Sequence, residues 1–247
     1  MSQGISTYSM IPCREEPSHR SQMVSQLLFG ETYTVQAEEK EWLYIENDHD
    51  GYSSWIAANQ HHTLTEGDAA HFINAQLFTQ VNAGAKSFPV TLGCFLPSQK
   101  WRIKEDTFSC EAQPQASEGS VEQLLEKYGA MMLNAPYLWG GRTPLGIDCS
   151  GFSQLMFRLL GISIRRDAWQ QAEEGNTVDF VHEARPGDLA FFDNEEGRIT
   201  HVGIVAGNTK IIHASGCVRV DTLDHEGIYN QLLKKYTHRL RIIRRYF

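Results

Sequence analysis

The sequence predicts an α+β domain preceded by small all-β barrel modules. Three observations carry this. Up to Cys110 the apolar residues recur in short runs of period two between Gly, Pro and Asn breaks. A polar stretch interrupts them at residues 111–119. Beyond it the period changes to 3.6 and strands then return. With 247 residues, and roughly 100–200 residues per domain, the chain has room for two or three domains.

The elements follow in order. Residues 1–60 read as one barrel: TYTVQA, then WLYIE from Trp42 to Glu46, a turn at Asp50-Gly51, then YSSWIA. Residues 61–110 repeat the texture (QLFTQV, SFPVTL, CFLP, WRIKE) and read as a second β module of similar size. Residues 111–119, with Pro114 and Gly119 and no apolar period, read as a linker. The α+β domain is placed at 120–247. It opens with a helix whose Val121, Leu124, Leu125, Tyr128 and Met132 share a face, with a capping box from Ser120 to Gln123 and an end near Asn134. The loop APYLWGGRTPLGID leads into CSGFSQLMFRLLG, where Phe152, Leu155, Met156 and Leu159 are helically spaced and Gly161 is the stop. Cys149 therefore opens a helix. Strands follow at 188–193, 200–207, 210–215 and 218–223, and in HRLRIIRRYF at the end.

Composition narrows the function. Hydrophobic residues at 41% and charged residues at 21% can bury a core, which excludes global disorder. Lys+Arg 22 against Asp+Glu 30 leaves a net charge of −8 with no basic block, so a nucleic-acid partner is not expected. No run approaches the roughly 18 apolar residues of a membrane span. The start lacks the basic-then-apolar order of a secretory signal. With Met1 as the native start, a cytoplasmic location is expected; a removed leader would make it periplasmic or extracellular.

The cysteines, Cys13, Cys94, Cys110, Cys149 and Cys217, are odd in number and hold no CxxC pair, which disfavours a disulfide framework or zinc knuckle. A thiol at a helix start faces unpaired N–H groups and the positive end of the helix dipole, so Cys149 is expected to have a lowered pKa. A nucleophile needs a base. His201 in THVGIVAG and His213 in KIIHAS are symmetric about Gly207, so a hairpin centred there would set them directly opposite on one face. One imidazole would take the thiol proton and the other would orient it. A zinc site from Cys149, His201, His213 and Cys217 lacks metal-ligand spacing, and neither an HExxH nor a P-loop motif is present. No metal and no cofactor is expected.

These residues carry a family resemblance. YLWGGRTPLGIDCSGF, RPGDLAFF, THVGIVAG and IIHAS, spanning about 137–215, resemble the NlpC/p60 family of papain-like bacterial cell-wall cysteine peptidases. The resemblance implies Cys149 as nucleophile, His201 as base and His213 as the orienting residue. Upstream, CREEPSHRSQMVSQLLFGE and WLYIENDHDGYSSWIA are similar to the bacterial SH3-like module that precedes this domain in γ-D-glutamyl-L-diamino acid endopeptidases.

By resemblance the partner is a peptidoglycan-derived peptide, L-Ala-γ-D-Glu-diamino acid, with a free amine. Asp148 would bind that amine, with Ser150 as a substrate hydrogen-bonder, and Tyr52 and Glu16 of the SH3-like module would close the pocket. Asp148 is equally suited to cap the helix. Tyr137 reads as a substrate contact, and Trp139 as a wall of the site or packing. The competing readings are a cell-wall adaptor with an inactive peptidase domain, which the intact Cys149, His201 and His213 oppose, and a papain-like amidase or acyltransferase. Diaminopimelate and Lys on the leaving side stay open.

Overall fold

The computed structural model describes residues 2–64, 71–97, 100–103, 105–112, 119–207 and 209–247. The linker expected at 111–119 falls largely on 113–118, outside the described residues. The chain forms two compact units, one of Met1–Ala116 with Trp139–Pro144 and one of Ser117–Leu138 with Leu145–Phe247. Among the described residues, no helix is long and apolar enough to cross a membrane.

The first unit is all β. Strands β1 (Gln3–Ile5), β2 (Met10–Arg14), β3 (Met23–Leu28), β4 (Thr32–Glu39), β5 (Trp42–Asn47) and β6 (Ser53–Ala57) form one sheet in the order β1-β4-β5-β6-β2-β3. Alternation puts Ile11, Cys13, Leu43, Ile45 and Ile56 in its core with Leu27 and Tyr33. Strands β7 (His71–Ile73), β8 (Phe78–Ala83), β9 (Lys86–Thr91), β10 (Phe95–Pro97), β11 (Trp101–Ile103) and β12 (Asp106–Cys110) form a pair, β10-β7, and a four-stranded sheet, β11-β12-β8-β9. Val81, Val90, Leu96, Trp101 and Phe108 bury one face of this second set against Ile5, Leu28 and Phe29 of the first. The two sets share that core, with the Phe29 ring stacked on Trp101 at 5.8 Å.

Sequence reading kept residues 139–144 with the catalytic domain, yet they group with the first unit. A buried ion pair accounts for this. The Arg142 guanidinium donates from Nη1 and Nη2 to both Glu31 carboxylate oxygens at 2.8 and 2.9 Å, and from Nη1 to the Gln26 carbonyl at 2.6 Å. Both side chains are almost fully buried, where a two-pronged contact with added hydrogen bonds offsets desolvation. Gly140, at φ +74, lies so close to the Met23 carbonyl that a Cβ would sit 2.5 Å from that oxygen.

The second unit opens with α1 (Val121–Met132), capped as the sequence indicates: Gln123 N–H donates to the Ser120 hydroxyl and Ser120 N–H to Gln123 Oε1. Two-residue strands β13 (Arg142–Thr143, in the first unit) and β14 (Gly146–Ile147) lead to α2 (Cys149–Leu159). Then come α3 (Ala168–Glu173), a helix not foreseen, and β15 (Asn176–Val178), β16 (Leu189–Asp193), β17 (Ile199–Gly207), β18 (Lys210–Ser215), β19 (Cys217–Leu223), β20 (Gly227–Asn230) and β21 (Lys235–Arg245). The sheet runs β15-β21-β16-β17-β18-β19-β20, and β21 also pairs with β20. Strands β16 to β21 thus close into an antiparallel barrel. Ala190, Phe192, Val205, Ile211, Leu223 and Ile228 cluster in its core. Arg166 is also buried, at 1% exposure.

Candidate active site

The site grows from the start of α2. Asp148 is its N-cap, in extended conformation, and its Oδ1 accepts from Gly151 N–H at 2.7 Å. The next residue, Cys149, takes the first helical position, and Asp148, Cys149 and Ser150 are each 6% exposed.

The structure supplies Asp148 with a partner the sequence did not name. Arg166 grips both its oxygens, Nη1 to Oδ1 at 3.1 Å and Nη2 to Oδ2 at 2.7 Å. The Ser150 hydroxyl donates to Asp148 Oδ1 at 3.3 Å and accepts from Arg166 Nη1 at 2.9 Å. Asp148 and Ser150 are thus members of a buried network that pins the start of α2.

Tyr137 is strapped alongside. It bridges Ile147 in parallel, with Ile147 N–H donating to the Pro136 carbonyl at 3.0 Å and Leu138 N–H to the Ile147 carbonyl at 3.2 Å. Its phenol, at the rim of the buried region, is pushed up in pKa by burial and then by the neighbouring Cys149 and Asp148. It therefore stays a hydrogen-bond donor beside the thiol. Glu16 is exposed in the turn before Pro17 and Tyr52 is half-buried in the turn after Asp50; both belong to the first unit. Trp139, at 57% exposure, also groups with the first unit.

The two histidines meet, but not by the expected register. A bulge near Gly207 pairs Ile204 with Ile212 and Val205 with Ile211. Continued, that register sets His213 across from Gly203, leaving His201 diagonal to it. The offset is two residues, so both stay on one face. His201 Nε2 and His213 Nδ1 are 2.8 Å apart. Gly203 makes room for the pair, since a Cβ there would lie 2.9 Å from that of His213.

Sequence reasoning missed two neighbours. His238 of β21 stacks on His201 at 4.1 Å between ring centroids. Asp221 of β19 approaches His213 Nε2 with Oδ2 at 3.2 Å. The signal for the first was a histidine inside a terminal strand; for the second there was none, because in VRVDTL Asp221 takes its turn with Arg219 as one of the polar residues of an alternating strand.

Electrostatics correct the expected thiolate. Burial pushes the Cys149 thiol up to about 12 and the Asp148 charge adds to this. The Val202 and Ser150 backbone amides and Arg166 pull the other way without prevailing. His201 is held well below the ordinary imidazole range by burial and by His238 and His213. Both shifts favour the neutral form, thiol on Cys149 and imidazole on His201, so a proton transferred between them would move during attack. Because only thiolate alkylates, and its fraction rises tenfold per pH unit below the pKa, iodoacetamide should modify Cys149 about tenfold faster per unit from roughly pH 6 to 9. A flat rate would reveal a preformed thiolate.

The NlpC/P60 family model matches residues 134–240, and that of the bacterial dipeptidyl-peptidase Sh3 domain matches 13–60. A Bacillus subtilis protein named gamma-D-glutamyl-L-lysine dipeptidyl-peptidase is 32% identical over 213 residues, 77% of this chain and 71% of its own. Dipeptidyl-peptidase 6 of Lysinibacillus sphaericus is 28% identical over 255 residues, 85% and 88% of the two chains. The crystal structure of an NlpC/P60 family protein from Bacillus cereus shares the fold with a TM-score of 0.81 over 99% of each chain, at 19% identity. With a relative this similar across most of both lengths, and the family match falling on the residues that hold the thiol and its imidazoles, the chain belongs to the NlpC/P60 family of cysteine peptidases.

Proposed function

We propose that the protein is a dipeptidyl-peptidase acting on peptidoglycan-derived peptides that begin with a free L-Ala, cleaving the bond between γ-linked D-Glu and the diamino acid. The observation that carries the chemistry is the 2.8 Å imidazole pair in the same unit as a thiol at a helix start. Cys149 Sγ attacks the γ-glutamyl carbonyl, His201 takes the thiol proton and returns it to the leaving amine, and water then hydrolyses the thioester. The positive end of α2 favours the developing oxyanion, and the Tyr137 hydroxyl donates to the substrate in this reading. The substrate class is supported by the relatives named gamma-D-glutamyl-L-lysine dipeptidyl-peptidase.

The test is incubation with L-Ala-γ-D-Glu-Lys and its diaminopimelate counterpart, followed by mass spectrometry. Release of intact L-Ala-D-Glu with the free diamino acid is expected from at least one. N-acetylation of the L-Ala should slow cleavage by at least about tenfold, since it removes a charge-assisted contact. Binding without cleavage of either peptide would favour the adaptor reading.

A further inference from the structure

The carboxylate behind His213 has no part in the thiol and imidazole chemistry above. Asp221 is 6% exposed; Arg219 donates from Nη2 to its Oδ1 at 3.0 Å, and Nε lies 2.8 Å from Oδ2 as an ion-pair contact without hydrogen-bond geometry. Asn230 Nδ2 approaches Oδ2 at 3.5 Å. Burial alone would raise its pKa, but hydrogen bonds from His213 and Arg219 hold it below the usual carboxylate range, so it only accepts hydrogen bonds and donates none.

That polarity runs forward through both rings. Facing an acceptor, His213 presents Nε2–H. With one proton on the ring, its Nδ1 is a bare acceptor. The 2.8 Å contact then needs His201 to donate from Nε2, which leaves His201 Nδ1 as a free lone pair. We propose that Asp221 is a positioning residue that sets the tautomers of His213 and His201 and so makes His201 Nδ1 the base of the reaction.

The sheet places the three residues in sequence across β17, β18 and β19. Asp221 pairs with Ile211, two residues from His213, so it is diagonal to His213 as His213 is to His201. His238, with Nδ1 2.9 Å from the Thr237 hydroxyl, covers the face of the His201 ring. In the reaction the S–H bond of Cys149 breaks and its proton passes to His201 Nδ1 as the sulfur–carbon bond forms and the carbonyl electron pair moves to oxygen. The pair returns as the C–N bond breaks, and the leaving amine takes the proton from Nδ1. Water then repeats the cycle, its proton going to Nδ1 and on to the departing thiolate. Throughout, His201 keeps Nε2–H on His213.

The activity arm of the test rests on the proposed peptidase function; the spectroscopic arm does not. In the full-length protein with ¹⁵N-labelled histidine rings at neutral pH, His201 and His213 should both show the Nε2–H tautomer. Nδ1–H at His201, or a doubly protonated His213, would overturn the proposal without any variant. In Asp221→Asn, Arg219 claims the amide oxygen and the NH₂ group faces His213, so both tautomers should invert. kcat should fall on the order of a thousandfold with KM within about threefold, while Asp221→Glu recovers much of the loss. A folded Asp221→Asn with wild-type kcat overturns the assignment. Correct tautomers in a protein that cleaves no γ-glutamyl peptide would uphold the assignment and refute the peptidase reading instead.

Discussion

Cys149→Ala is expected to bring peptide turnover to background, a loss of about four orders of magnitude or more, and His201→Ala to do the same. The sulfur is the atom that forms the acyl bond, and among the described residues nothing else at the start of α2 offers a comparable nucleophile: the Ser150 hydroxyl is committed to Asp148 and Arg166. His201 is equally without substitute. With the Cys149 thiol pushed up to about 12, spontaneous ionisation near neutral pH is negligible and the proton must be taken during attack. A double variant should therefore be no slower than either single one, as residues acting in one step are not additive. His213 differs, since a glutamine there offers a carbonyl to His201 and an NH₂ to Asp221, mimicking both ring nitrogens. His213→Gln should retain measurable activity where His213→Ala retains far less. Rates read by mass spectrometry on the γ-glutamyl tripeptide check all five variants, and Cys149→Ala retaining more than about one per cent activity would mean that another group attacks.

The fold was legible where periodicity and caps are local. Ser120 and Gln123, the apolar face of α1 and the start of α2 at Cys149 required only neighbours a few positions away. His201 and His213 stood out because imidazoles are unusual in apolar strands, though their register was not readable: Gly207 pairs with Lys210, so the turn lies beyond it, and a one-residue bulge follows, which together set His213 across from Gly203 and which a count centred on Gly207 does not detect. Asp221 was hidden by alternation itself. In VRVDTL the apolar set suggests Val218 and Val220 as the inward residues, yet Val220 is 45% exposed and Asp221 is buried beside Leu223. A strand in a barrel covered by helices buries residues on both faces, so the apolar phase no longer marks the inside. Arg166, in the run SIRRD, reads as a solvated cation; its burial depends on Asp148, 18 positions away, which no local pattern encodes. The Cys149 pKa failed for a related reason: the helix terminus was visible, but the depth of burial that overrides it comes only from tertiary packing.

Asp148→Asn is expected to act first on stability. The sequence offered two roles for this residue, a helix cap and a ligand for the substrate amine, and Arg166 changes their weights. A carboxylate gripped at both oxygens by a guanidinium with 1% side-chain exposure is already neutralised, so an incoming ammonium would be a second cation at the same anion. Removing the carboxylate charge strands the guanidinium in the interior, and breaking such a pair from one side costs about 3–5 kcal/mol. At roughly 2–4 °C per kcal/mol for a chain of this size, the melting temperature of the catalytic unit should fall by about 10 °C or somewhat more. Asparagine still caps α2, so the loss belongs to the ion pair rather than to the Gly151 hydrogen bond. Adding Arg166→Gln should recover part of the stability, because the double variant leaves no unpaired charge, and the double variant should therefore be destabilised by much less than the sum of the two single ones. The preference for free over N-acetylated L-Ala, taken as a ratio of kcat/KM values, should remain within about threefold of wild type. Thermal melts and that ratio separate the roles: an Asp148→Asn protein as stable as wild type but indifferent to acetylation would return Asp148 to the substrate amine.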